Sequence, residues 1–153
     1  RLNIAGGTAE QIKGLQLLAK EMDVKEKVNF LGFIDPKQRF QAIAQHDICV
    51  LPLTLTSIGS RYTSPLKLFE YMAMRKPVVI SDFPSIRDVV DEKAVSFADS
   101  GDAQSFAQQI KLLREEPQRT SEKINHARSL VENYYNWDKR AETILHTINK
   151  LIS

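Results

Sequence analysis

Lys67 and Glu70 stand three residues apart in a run that is otherwise almost wholly apolar from Leu66 to Met74. At helical spacing the two share one face, with Glu70 about 4.5 Å further along the axis. A helix apolar on nearly every side is a buried one, so two charges inside it need a reason. Ser64 or Thr63 can cap such a helix, and Pro65 suits its first position because that N–H has no helical partner. Lys67 then lies in the first turn, where the macrodipole disfavours a cation by roughly 0.3–1 kcal/mol. An anion at the helix start removes that cost, since backbone N–H groups and the ammonium converge on it. The Glu70 carboxylate can accept two hydroxyls of a ribose whose diphosphate fills the anion site. The spacing suits a nucleoside diphosphate, with its phosphates at Thr63 and Ser64 and its ribose beside Glu70. The competing explanation is a plain i,i+3 ion pair, worth a few tenths of a kcal/mol and here in its poorer orientation.

The elements that must hold this helix alternate short apolar strands with amphipathic helices. Asn3-Ile4-Ala5 reads as a strand that turns over Gly6-Gly7, with Thr8 and Gln11 forming a capping box. The helix they open, over 9–22, carries Ile12, Leu15, Leu18, Ala19 and Met22 as one apolar stripe. A strand over 28–31 ends at Gly32, and Asp35-Pro36 opens a second helix that runs through Phe40, Ile43 and Ala44. A strand over 48–51 closes at Pro52, and a polar loop follows over 53–63. The helix from Ser64 runs to about Met74, and Pro77 introduces a strand over 78–80. A helical turn over 84–90 precedes a strand over 94–98, and helices follow over 102–115, 120–135 and 138–152. This order predicts an α/β fold, a Rossmann-like parallel sheet with helices on both faces and extra C-terminal helices. The unbroken Val/Ile/Leu strands fit a sheet covered on both sides. Ligands of such sheets bind at the carboxyl ends of the strands, so the loops after Ala5, Leu31, Pro52 and Ile80 matter most.

Composition closes off several classes. With 153 residues, 42% hydrophobic and 26% charged, and only 6 Gly and 6 Pro, the chain is neither a disordered tail nor a collagen-like repeat. Twenty-one Lys and Arg against nineteen Asp and Glu give a charge of +2, which makes no case for nucleic acid as a partner. One Cys makes no internal disulfide, three His make no zinc cluster, and no metal is expected. No apolar run approaches the ~18 residues of a membrane span, and no signal peptide opens the chain. It reads as cytoplasmic, with any membrane-surface attachment left to a longer parent. Arg1 leads directly into a strand, so residues 1–153 read as a single domain cut from something larger.

The stretch SPLKLFEYMAMRKPVVISDFPSIRDVV (64–90) closely resembles the nucleotide-sugar-binding segment of GT-B glycosyltransferases of the family 4 kind. The Phe-Glu-Tyr-Met-Ala run with Lys-Pro-Val-Val after it is the specific part, and LNIAGG and VNFLGFI resemble the family's flanking strands. The resemblance implies the C-terminal, donor-binding domain of a retaining transferase that uses a UDP- or GDP-sugar and no metal ion. Family members carry two glutamates eight positions apart; the second maps onto Glu70 and would hold the ribose. The first maps onto Tyr62, which leaves the catalytic residues unassigned and the sugar contacts open. A Tyr-Thr-Ser-Pro-Leu-Lys segment matches another version of the pattern, so Tyr62, Thr63, Ser64, Pro65, Leu66 and Lys67 join Glu70 as nucleotide-sugar-binding candidates. Arg75 stands where a helix-ending Gly is usual and must take that position with a less favourable backbone. The family's diphosphate-binding Arg and Lys belong to a strand–helix unit upstream of Arg1. Its catalytic and acceptor residues belong to an N-terminal domain, the partner that would bring a glycan or lipid acceptor. By this reading the fragment binds donor better than it catalyses anything.

Other positions carry weaker signals. Gly6 and Gly7 let a backbone approach a phosphate or sugar, although a strand-to-helix turn needs glycine too. In the resembled fold Phe33 and its neighbours contact the base; otherwise Phe33 is core. Arg61 is placed to reach a phosphate or to face solvent. Ser81 and Asp82 end a strand at the carboxyl edge, where Asp82 fits a turn cap better than a sugar contact. Cys49 reads as inert core, and His126 and His146 as helix surface. Tyr134, Tyr135 and Trp137 read as packing at a helix junction, and Ile144, Ile148 and Leu151 as an orphaned interface. The rival class is a non-catalytic binding or scaffold module that kept the fold, which Tyr62 favours. A phosphate-accepting receiver domain needs clustered acids at strand ends, where only Asp82 qualifies.

Overall fold

An unbroken Val-Val-Ile run forms a fully buried strand over Val78–Ser81, whereas the other strands mix polar or small residues with apolar ones. The computed structural model describes residues 1–54 and 66–152. Two compact units divide the chain, Arg1–Ala42 and Ile43–Ser153. In the first, β1 (Leu2–Ala5) pairs in parallel with β2 (Val28–Gly32), with Ile4 opposite Phe30 and a register shift just after it. Between them lie α1 (Ala9–Glu21) and a short 3₁₀ turn. Thr8 and Gln11 make the expected capping box: Gln11 N–H donates to Thr8 Oγ1 (3.3 Å) and Thr8 N–H to Gln11 Oε1 (2.8 Å). The stripe on α1 does not become a buried face. Ala19 is buried, whereas Leu15, Leu18 and Met22 stay exposed. The second helix also starts later than Asp35-Pro36 suggests. Asp35 Oδ1 accepts from Lys37 N–H (2.8 Å), closing an Asx turn, and α2 (Arg39–Ala44) begins only after it.

The second unit holds β3 (Cys49–Leu51), β4 (Val78–Ser81) and β5 (Ser96–Ala98), all parallel in the order β3-β4-β5. Side chains alternate across β4. Val78 and Ile80 face a cluster with Leu68 and Met72 of α3 (Leu66–Ala73) and Ala127 of α6 (Pro117–Asn133). Val79 faces the other way, against Leu113, Phe106 and Ile110 of α5 (Ala103–Glu115). Both faces of this sheet are therefore covered, which is why all four β4 residues are buried. Each large side chain sealed there contributes about 1.5–3 kcal/mol. A short α4 (Pro84–Arg87) follows β4, and α7 (Trp137–Ile152) ends the described chain. Helix α6 begins at Pro117 rather than at 120, because a proline at the first helical position is an opening and not a break. The chain is thus an α/β fold with parallel strands.

Candidate functional site

Helix α3 carries the two charges that the spacing singled out. Lys67 is exposed and Glu70 half-buried, while Leu68 and Met72 on the opposite side are sealed in the core. Leu66, at the helix start, is 68% exposed. Arg61, Tyr62, Thr63, Ser64 and Pro65 lie outside the described residues. The far end of the helix is built as the sequence required. Arg75 adopts φ +55°, Lys76 N–H donates to Tyr71 O (3.0 Å) and Arg75 N–H to Met72 O (3.1 Å), a Schellman cap without glycine. Lys76 Nζ then reaches Ala44 O (2.8 Å) and ties the end of α3 to the end of α2. Burial raises the Tyr71 hydroxyl above its ordinary pKa, with Cys49 and Glu70 adding to the shift.

The carboxyl edge of β3-β4-β5 is knit together by the residues just past the strands. Leu53 N–H turns back to Leu51 O (3.0 Å) around Pro52, and Asp82 N–H donates to Ala98 O (2.8 Å). Leu53 O accepts from Ser81 Oγ (3.0 Å) and from Ser100 Oγ (3.1 Å). Asp82 does not cap the turn that follows β4. Its carboxylate takes a two-pronged bond from Arg87, Nε to Oδ1 at 2.5 Å and Nη2 to Oδ2 at 2.7 Å. The same guanidinium reaches Glu92 and lies 4.3 Å over the Phe97 ring.

In the first unit, Gly6 and Gly7 turn the chain out of β1 with φ of +96° and +87°, a conformation that side chains rarely take. Gly6 N–H bonds Gly32 O (2.6 Å), which fastens the ends of the two strands. A largely apolar cleft of about 590 Å³ opens there, lined by Gly6, Gly7, Gln11, Ile12 and Leu15 among others. Phe33 is 81% exposed, so the alternative of Phe33 as core is excluded. The site candidates therefore fall in two groups, Gly6, Gly7 and Phe33 in the first unit and Leu66, Lys67 and Glu70 in the second.

Elsewhere the expectations divide. Cys49 is buried, and burial pushes its thiol up to about 11. His126 Nε2 lies 3.9 Å from Asp91 Oδ1 on the half-exposed side of α6. Of the aromatic trio only Tyr135 packs, its ring 5.2 Å from Phe69 and its hydroxyl donating to Val89 O (2.7 Å). Tyr134 and Trp137 stand in the open, which corrects the packing expectation for both. Ile144, Ile148 and Leu151 are exposed along α7 as expected. The Ser81–Leu53 and Arg87–Asp82 bonds escaped the sequence; a serine ending the apolar run Val78-Val79-Ile80 was the available signal for the first.

Comparison with known proteins gives one sequence family. The family model described as glycosyl transferases group 1 matches residues 1–116. No curated protein matches the chain. Among solved structures the fold is similar to HepE from Anabaena in complex with UDP, with TM-score 0.83 at 20% identity over 97% of this chain and 40% of that one. Sucrose-phosphate synthase from Thermosynechococcus elongatus gives 0.82 at 20% identity, over 99% of this chain and 38% of that one. The C-terminal domain of a Francisella tularensis group 1 glycosyl transferase family protein, LpcC, gives 0.68 at 19% identity over 84% of this chain and 64% of that one. The chain thus spans 38–40% of the length of the first two.

Proposed function

Because the chain belongs to the group 1 glycosyl transferases, we propose that it forms the donor-binding part of a transferase that uses a nucleoside-diphosphate sugar, UDP- or GDP-linked. The observation that carries this reading is Glu70, a half-buried carboxylate on the solvent-facing flank of a helix whose other side is sealed. Its role is to accept the ribose hydroxyls. Lys67, one turn nearer the helix start, faces the diphosphate together with Thr63, Ser64 and the first backbone N–H groups of α3. Those groups would stabilise the leaving diphosphate by fixed charge, without a metal ion. Arg61, Tyr62, Pro65 and Leu66 join them as candidates for the same ligand, and Gly6, Gly7 and Phe33 remain candidates within the first unit. HepE has been solved with UDP and with UDP-glucose, which supports the choice of ligand class. The sugar would pass with retention to a glycan or lipid-linked acceptor held by an upstream domain, in a cytoplasmic setting. Tyr62 in place of a glutamate favours a second reading, a module of the same fold that binds donor and transfers nothing.

Calorimetric titration of UDP, GDP and UDP-sugars tests the site. At least one should bind with Kd below 1 mM, and Glu70→Gln should weaken it about tenfold, the loss expected for hydrogen bonds to a charged group. Millimolar or absent binding by the native chain, or equal binding by Glu70→Gln, contradicts the assignment.

A further inference from the structure

The support behind helix α3 comes from beyond residue 116, where the family match stops. Ala127 of α6 is buried in one cluster with Leu68 and Met72, and Leu130 and Val131 pack on the same cluster. Helix α6 thus lies against the sealed side of α3, and its Arg128 donates through Nη1 to the carbonyl of Ala73, the last residue of α3. The residue just past α6 makes a more pointed contact. The Tyr135 ring lies 5.2 Å from that of Phe69, tilted by 44°, and Phe69 is the chain neighbour of Glu70. This ring is anchored at both ends. Its backbone N–H donates to Leu130 O (3.1 Å), and its hydroxyl donates to Val89 O (2.7 Å). Val89 in turn packs on the core cluster. Tyr134, one position earlier, is 67% exposed, so the contact belongs to position 135 and not to aromatic character at the junction. A phenylalanine would fill the place as packing; the bond to Val89 O is what a tyrosine adds.

A hydrogen bond weakens steeply once its distance or angle drifts, so a carboxylate that is to take two ribose hydroxyls must be held closely. We infer that Tyr135 is a positioning residue for Glu70: anchored to Val89 O, its ring bears on Phe69 and holds the adjoining stretch of α3 where the Glu70 carboxylate meets the ribose. The inference rests on the donor-site reading above. Tyr135 acts through Phe69 and not on the ligand, with contacts that lie wholly within the second unit.

The test titrates UDP and 2′,3′-dideoxy-UDP into the full chain and its variants, at a temperature where circular dichroism shows each folded. The ratio of the two affinities reads the grip on the ribose hydroxyls. A general loss of stability leaves it unmoved, because both ligands need the same fold. The native chain should prefer UDP about tenfold. Tyr135→Ala should cut that preference about threefold or more, the range of one aromatic pair, and Tyr135→Phe, which keeps the ring and loses the anchor, about twofold. Ser105→Ala is the control for stability alone. It removes the hydroxyl that accepts from Asp99 N–H (2.9 Å), on α5 at the other face of the sheet, and should lower Tm with the preference intact. The proposal is overturned if Tyr135→Ala folds and keeps the native preference, if Tyr135→Phe keeps it where Tyr135→Ala does not fold, or if Ser105→Ala loses as much. No preference in the native chain, or one that survives intact in Glu70→Gln, overturns the donor-site reading and this inference with it. A preference lost in Glu70→Gln but kept by the Tyr135 variants overturns the inference alone.

Discussion

The two units place their apolar residues in opposite ways. In Ile43–Ser153 a three-stranded sheet has helices on both faces, and side chains such as Leu68, Met72, Val79 and Ile80 are fully sealed. In Arg1–Ala42 a two-stranded sheet and one long helix bury Ala19 among the hydrophobic residues, and Leu18, Met22, Phe33 and Phe40 face outward. The same kind of βα sequence yields a packed core in one case and an open face in the other. Amphipathic periodicity specifies which side of a helix is apolar; only further layers decide whether that side is hidden.

Core truncations should separate the units most sharply. Met72→Ala or Leu68→Ala should cost about 3–4 kcal/mol in urea unfolding, because each leaves a cavity in a fully enclosed site. Leu18→Ala, on an open face, should cost under about 1 kcal/mol. Equal losses at Met72 and Leu18 would erase the contrast.

The single cysteine gives a second probe, since it lies in the second unit only. The folded thiol is raised to about 11 from an ordinary value of 9.0, so the protonated form is favoured by folding. That contribution is complete below pH 9 and is lost as pH climbs toward 11, by about 2 kcal/mol at most. Stability measured from pH 8 to 11 should fall through this window, and Cys49→Ala should flatten the fall. A thiol that reacts with a disulfide reagent at pH 8 as fast as in the unfolded chain would show that β3 is not buried.

The smallest effect concerns two helix ends of the same design. Asp23 after α1 and Arg75 after α3 both hold positive φ, at 54° and 55°, in Schellman caps. Arg75→Gly should stabilise the protein by about 1 kcal/mol in urea unfolding, by relieving a left-handed side chain. Asp23→Gly should relieve the same strain in the first unit. A loss of stability at Arg75→Gly would mean that the side chain does more there than tolerate its backbone.

Much of the fold was legible because its signals are local. The Thr8–Gln11 box, the unbroken strands at Val78–Ser81 and the glycine-free end at Arg75 each follow from residues within a few positions. Starts of helices were harder: Asp35 closed a side-chain turn ahead of a helix that begins only at Arg39, and Pro117 opened a helix expected to start at 120. What escaped was long-range. Ser100 finds Leu53 across 47 positions, and Arg128 finds Ala73 across 55. Neither partner leaves a mark in the other's neighbourhood. Of the site itself, the sequence placed Lys67 and Glu70 on one helix, and α3 carries both. That helix read as apolar on nearly every side and so buried, whereas Leu66 is 68% exposed and Leu68 and Met72 alone are sealed along it.

The grip of Glu70 on ribose is tested most directly by pairing the variant with a ligand that lacks the groups it should hold. UDP and 2′,3′-dideoxy-UDP are titrated into the native chain and into Glu70→Gln. The account predicts that the native chain prefers UDP about tenfold and that Glu70→Gln binds both ligands alike. A preference for UDP that survives intact in Glu70→Gln would contradict it.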